Sequence, residues 1–211
     1  MKIKVCGMRD ILNIEALIKL EPDYIGFIFY PESQRYVGEQ IPVDARISIP
    51  GHIQKVGVFV DEPFEKLVER FRGNRLDMIQ LHGSESPDYC QKLKNLDVAI
   101  VKAFKISVDF DFKSVKPFDL FCDFYLFDTA GNLPGGTGLK FDWEKLYQYE
   151  GNKPFFLGGG IKPDDIQDIK RLSHSRLHAI DVNSGFEIVP GVKNIPKLKL
   201  FIDRIHDPSG L

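Results

Sequence analysis

Asp128 closes an aromatic and aliphatic run, residues 121–127, and four glycines follow between positions 131 and 138. A buried strand that ends in a carboxylate presents a proton donor or acceptor at the rim of a site. Glycines at that density suit a lid folding over a ligand, although an ordinary connection uses the same turn residues. Cys6 closes another short apolar run, residues 2–6, and precedes Gly7. Two readings stand for it: a small buried hydrophobe, or a thiolate acting as base or nucleophile. Lys4 shares its face, where an ammonium either favours that thiolate or pairs with an interior aspartate. Arg35 lies in the polar loop at 30–36, and its planar fork suits a substrate carboxylate as well as plain solvent. His82 follows the run at 77–81 and reads as a structural histidine or a binding group. Asp181, in the run at 179–182, is placed to bond backbone, a lysine or a ligand. Gly158-Gly159-Gly160 and Asn183-Ser184-Gly185 carry the sharpest signal, because backbone N–H groups in such turns can cradle an anion.

Apart from Lys4, each of these residues stands at or near the end of a short apolar run. The runs, at 2–6, 24–29, 55–60, 77–81, 98–104, 121–127, 155–157 and 179–182, are rich in β-branched and aromatic residues and read as strands. Amphipathic segments alternate with them. Ile14, Leu17 and Ile18 share one helical face, as do Phe64, Leu67, Val68 and Phe71 after Pro63. Weaker helical signals lie at 39–47 and at 108–116, where Asp and Phe alternate. Further helices are expected from Ser86, over 143–149, from Pro163 with Asp164 and Asp165, and over 195–205. Parallel strands need such crossovers. Eight β-then-α units in one chain, with no linker, predict a single (β/α)₈ TIM barrel over 1–211, with its site at the C-terminal strand ends. Phosphate commonly binds such barrels at the loops after strands seven and eight. An open doubly wound sheet is the competing arrangement.

The composition, 43% hydrophobic and 27% charged with a net charge of -2, is that of a globular protein without the basic excess that nucleic acid or an anionic membrane surface requires. Three cysteines form no disulfide framework and no zinc pattern, which predicts reduced thiols and a cytoplasmic location. No apolar run approaches the ~20 residues that span a bilayer.

The motifs taken together resemble the phosphoribosylanthranilate isomerase family of tryptophan biosynthesis. The matching segments are Lys4-Val5-Cys6-Gly7, Gly26-Phe27 with Ser33-Gln34-Arg35-Tyr36-Val37, Lys55-Val56-Gly57-Val58-Phe59, Gln80-Leu81-His82-Gly83, and Asp128. Gly135-Gly136-Thr137-Gly138 with Phe141-Asp142-Trp143, Gly158-Gly159-Gly160-Ile161-Lys162-Pro163, and Asp181-Val182-Asn183-Ser184-Gly185-Phe186-Glu187 with Pro190-Gly191 complete the order. The resemblance implies an Amadori rearrangement of a phosphosugar–anthranilate substrate, with no cofactor and no metal. It implies Asp128 as general acid, Cys6 as general base and Arg35 on the anthranilate carboxylate. It places the glycines after strand seven and Asn183-Ser184-Gly185 around the phosphate, and the protein is expected as a monomer or homodimer. Two positions depart from the family pattern: Asn183 stands where Ser is common, and Asn194 where Asp is common. The second should change only a helix cap. Other phosphosugar isomerase barrels, a noncatalytic phosphate- or flavin-binding barrel and a redox-sensing thiol protein are the alternatives. A histidine-pathway barrel is expected to use two carboxylates, so Cys6 speaks against it.

Overall fold

The computed structural model describes residues 1–129 and 142–207. Eight parallel strands close into a barrel in sequence order. They are β1 (Lys2–Val5), β2 (Tyr24–Ile28), β3 (Gln54–Phe59), β4 (Met78–Leu81), β5 (Ala99–Ile106), β6 (Phe124–Thr129), β7 (Phe155–Leu157) and β8 (Leu177–Val182). The β1–β8 ladder completes the ring and sets Lys4 opposite Asp181. The crossovers include α1 (Ile11–Ile18), α2 (Val43–Ser48), α3 (Phe64–Gly73), α4 (Pro87–Lys94), α5 (Ile166–Arg171) and α6 (Ile195–His206). The side chains of Asp10, Ser86 and Asn194 cap α1, α4 and α6 by accepting from the amides of Asn13, Tyr89 and Lys197. Asn194 thus does the capping work expected of an Asp.

Several segments differ from expectation. After β5, 3₁₀ turns at Phe112–Phe118 replace the expected α-helix. Asp111 accepts from the Lys113 amide and starts a tight turn, and Pro117, which has no N–H to give, interrupts any regular ladder. The segment after β6 is likewise a short 3₁₀ stretch, Trp143–Gln148. The second helix begins only after Pro42. Asp128 lies inside β6 rather than beyond its end. A two-stranded antiparallel hairpin, β9 (Glu187–Val189) with β10 (Val192–Lys193), follows β8 and was not anticipated. The glycine-rich lid expected at 131–138 lies outside the described residues.

Alternation along the strands places the chemistry. Tyr24, Val56, Met78, Leu126, Phe156 and Ala179 pack together inside the barrel. Their neighbours in sequence, such as Ile25, Phe127, Phe155 and Ile180, pack outward against the helices. Side chains two residues apart share a face. Gly26, Gln80, Asp128, Gly158 and Asp181 therefore form the next interior layer, at the C-terminal mouth.

Candidate active site

Lys4 and Asp181 occupy the centre of that layer. Lys4 Nζ lies 2.7 Å from Asp181 Oδ2 and both side chains are buried, so the interior ion pair left open by the sequence is the arrangement found. Burial opposes the Lys4 ammonium, but Asp181 and Cys6 together hold it above the ordinary lysine value. Burial pushes the Asp181 carboxyl up; Lys4 opposes the rise and the nearby Asp128 adds to it. Asp181 Oδ1 is buried without a hydrogen-bond partner among the described residues. A buried acceptor in that state is costly unless a ligand donor reaches it.

Cys6 follows β1 and is held by its amide, which donates to Val182 O at 2.9 Å. Gly26 allows β2 to approach it, since a Cβ there would come 2.7 Å from Cys6 Sγ. Burial raises the thiol above its ordinary value; the Lys4 and Lys193 ammoniums pull it down, and Asp181 pushes it up. The ammonium argument from sequence thus names a real influence, which burial outweighs.

Across the mouth, Asp128 Oδ2 lies 3.2 Å from His82 Nε2. His82 Nδ1 is 2.9 Å from Gln80 Nε2. With the Gln80 amide so oriented, Nδ1 must accept, which leaves the ring hydrogen on Nε2 facing Asp128. Glu85 steadies the His82 loop: it accepts from the Gly83 amide at 3.1 Å and pairs with buried Lys102 at 2.9 Å. A Cβ built on Gly158 would lie 3.8 Å from both Asp128 Oδ1 and Asp181 Cβ, so the two carboxylates flank one glycine.

Gly159 has φ 86°, and a Cβ there would overlap the Thr129 amide and stand 2.5 Å from Asp128 Oδ1. Thr129 Oγ1 donates to Gly159 O at 3.0 Å. Gly159→Ala is expected to destabilise the fold by about 2 kcal/mol, a fall in Tm of several degrees in thermal unfolding. An unchanged Tm would show that this turn relaxes freely. Among the described residues, neither the Gly159 nor the Gly160 amide donates a hydrogen bond. Gly185 packs on the Ile161 carbonyl, which brings the loops after β7 and β8 together. Ser184 is exposed. The Asn183 side chain turns away to accept from Lys193 Nζ at 2.6 Å.

Arg35 reaches the same rim. Its loop folds back on β2 through Val37 N–H donating to Ile28 O at 3.0 Å. Its guanidinium is paired with Glu187, Nε to Oε1 at 2.8 Å and Nη2 to Oε2 at 2.6 Å. Glu187 also accepts from Lys193 Nζ at 2.7 Å and from the Gly191 amide at 3.0 Å. Burial opposes the Glu187 carboxylate, yet these hydrogen bonds hold it down at about 2. The stability this adds is complete above the ordinary Glu value and is lost as pH falls towards about 2.

The pattern of the N-(5'-phosphoribosyl)anthranilate (PRA) isomerase family matches residues 3–204. The N-(5'-phosphoribosyl)anthranilate isomerase of Parabacteroides distasonis is 43% identical over 211 residues, covering 99% of this chain and 95% of that relative. The chain belongs to this family. It is an isomerase of tryptophan biosynthesis. The phosphoribosyl anthranilate isomerase of Thermotoga maritima superposes with a TM-score of 0.85 at 31% identity, over 97% of this chain and 98% of that one. Another phosphoribosyl anthranilate isomerase, solved with reduced 1-(o-carboxyphenylamino)-1-deoxyribulose 5-phosphate, gives 0.82 at 29% identity with the same coverage.

Within this isomerase barrel, Cys6, Arg35, His82, Asp128, Gly158, Gly159, Gly160, Asp181, Asn183, Ser184 and Gly185 all stand at the C-terminal end. His82 sits beside Asp128. Sequence reasoning met Gln80 and Glu187 only as members of motifs, without a role, and missed Lys193. Gln80 shares the interior parity of Asp128, a signal that was readable; a buried lysine such as Lys193 leaves no local pattern. Among the described residues, no group of three or more His, Cys, Asp or Glu is placed to hold a metal ion. Among them, too, no helix is long and apolar enough to cross a membrane.

Proposed function

We propose that Asp128 and Cys6 carry the Amadori rearrangement of N-(5-phosphoribosyl)anthranilate to 1-(2-carboxyphenylamino)-1-deoxyribulose 5-phosphate, as general acid and general base. The observation that supports this most is their placement about a shared neighbour: a Cβ on Gly158 would lie 3.8 Å from both Asp128 Oδ1 and Asp181 Cβ, and the Asp181 carboxylate in turn pushes up the Cys6 thiol. One sugar seated over the Lys4–Asp181 pair meets the thiol on one side and the carboxyl on the other.

Asp128 gives a proton to the ribose ring oxygen. The C1–O bond breaks, and the nitrogen lone pair closes a protonated imine at C1. Cys6 then removes the C2 proton, and the C–H electrons form the enolamine, which tautomerises to the ketone. The positive imine beside Cys6 favours the thiolate and offsets the burial that raises the thiol. Asp181 Oδ1 is the acceptor for a sugar hydroxyl. The amides of Gly159 and Gly160, with those of Ser184 and Gly185, receive the phosphate, and such backbone contacts tolerate Asn183 in place of Ser. His82 orients the Asp128 carboxyl. A thiol base needs a reducing compartment, and Cys6, Cys90 and Cys122 are free, which supports a cytoplasmic location. The direct test follows the fluorescence of phosphoribosylanthranilate, which disappears on addition of the protein. A signal that persists would refute the reading.

Arg35 binds the anthranilate carboxylate. Arg35→Met is expected to raise KM by roughly 10²-fold, the loss of a charge-assisted bidentate contact, with a smaller change in kcat. An unchanged KM would remove Arg35 from the carboxylate site.

A further inference from the structure

The guanidinium of Arg35 has two usable edges, and Glu187 fills one of them. Nε lies 2.8 and 3.1 Å from the two Glu187 oxygens, and Nη2 lies 2.6 Å from Oε2. A guanidinium carries five N–H donors in a rigid fork, so an edge built from Nη1 and the second Nη2 hydrogen is left for another carboxylate. The backbone fixes little of this aim. Among the described residues, the Arg35 backbone is held only through its amide, which donates to Ser33 Oγ at 3.1 Å. Gly7 walls the side-chain stem, since a Cβ there would come 2.8 Å from Arg35 Cδ.

A lone Glu187 would also cancel the charge that draws an anion to Arg35. Lys193 prevents this. Its side chain is 0% exposed, and Nζ lies 2.7 Å from Glu187 Oε1 and 2.6 Å from Asn183 Oδ1. Two cations and one anion leave the cluster net positive towards the mouth. Lys193 also ties the hairpin after β8 to Asn183, at the glycine-bearing loop.

We propose that Glu187 and Lys193 are positioning residues which hold Arg35 edge-on, so that recognition of the substrate's aromatic carboxylate is set by the β9–β10 hairpin and not by the loop that carries Arg35. The proposal rests on the carboxylate role given to Arg35 above. Its physical basis is pre-organisation: an arginine already clamped loses less rotamer freedom when the ligand arrives. The low value of the Glu187 carboxyl, about 2, keeps the clamp ionised across the working pH range.

The experiment measures binding of reduced 1-(o-carboxyphenylamino)-1-deoxyribulose 5-phosphate and of the anilino analogue that lacks its carboxylate. Wild type, Glu187→Gln, Arg35→Met and the double variant are compared. Glu187→Gln is expected to weaken the carboxylated compound about ten-fold, to leave the analogue within about two-fold, and to raise KM far more than it lowers kcat. In the Arg35→Met background it should add nothing, because both changes remove one contact. Glu187→Asp retains the charge with a shorter reach and should fall between; it carries the comparison if the glutamine variant does not fold. Equal weakening of both compounds, or effects that multiply in the double variant, would make Glu187 merely structural. A silent Glu187→Gln beside a strong Arg35→Met effect would overturn the positioning role alone. A silent Arg35→Met would overturn the carboxylate reading, and the positioning role with it.

Discussion

Asp128→Asn is expected to lower kcat on the order of 10³-fold, about 4 kcal/mol of barrier, while KM stays within a few-fold. The argument is geometric. Asparagine matches aspartate in shape, and its carbonyl can still accept from His82 Nε2, which stands 3.2 Å from Asp128 Oδ2. The pocket is therefore kept and substrate still binds. What is lost is an acidic proton for the ribose ring oxygen, so the C1–O bond must break against an unprotonated leaving group. Asp181 cannot stand in, because Oδ2 is committed to Lys4 at 2.7 Å. Steady-state fluorescence kinetics give both constants. A kcat reduced by less than about ten-fold, well short of what a general acid supplies, would take the acid role away from Asp128.

Cys6→Ser is expected to lower kcat by a similar factor, on the order of 10³-fold. Serine occupies nearly the same volume, so the Gly26 contact survives, but its hydroxyl does not ionise usefully and cannot take the C2 proton. Wild type should show a second signature. Burial holds the free thiol above the ordinary cysteine value, so kcat/KM should keep rising into the alkaline range, and the rise should vanish in Cys6→Ser. Rapid modification of Cys6 by peroxide at neutral pH, without isomerase activity, would favour the redox-sensor alternative instead.

The strands were legible because each is a short β-branched or aromatic run, and because period-two alternation puts Asp128 and Asp181 on the face that also carries Leu126 and Ala179. The segments after β5 and β6 were not. Hydrophobic spacing at 108–116 and 143–149 does not reveal that Asp111 and Asp142 start tight turns. The β9–β10 hairpin escaped notice for a different reason: its strands have three and two residues, too few for a period, and Ile188 and Val189 are exposed. Lys4 was open between supporting a thiolate and pairing with an aspartate until the β1–β8 register set it opposite Asp181. The Arg35–Glu187 pair joins residues 152 positions apart, and no local pattern announces such a partner. The Asn183 side chain serves Lys193, a contact that its place in the motif does not announce.

Two groups working on one sugar from opposite sides is the claim on which the chemistry stands. A crystal structure with the reduced product bound examines it most directly. Cys6 Sγ should lie within about 3.5 Å of C2, and an Asp128 oxygen about 3 Å from the oxygen that leaves C1, on the other face of the carbon chain. Either side chain turned away from the sugar, or both on the same face, would contradict the account.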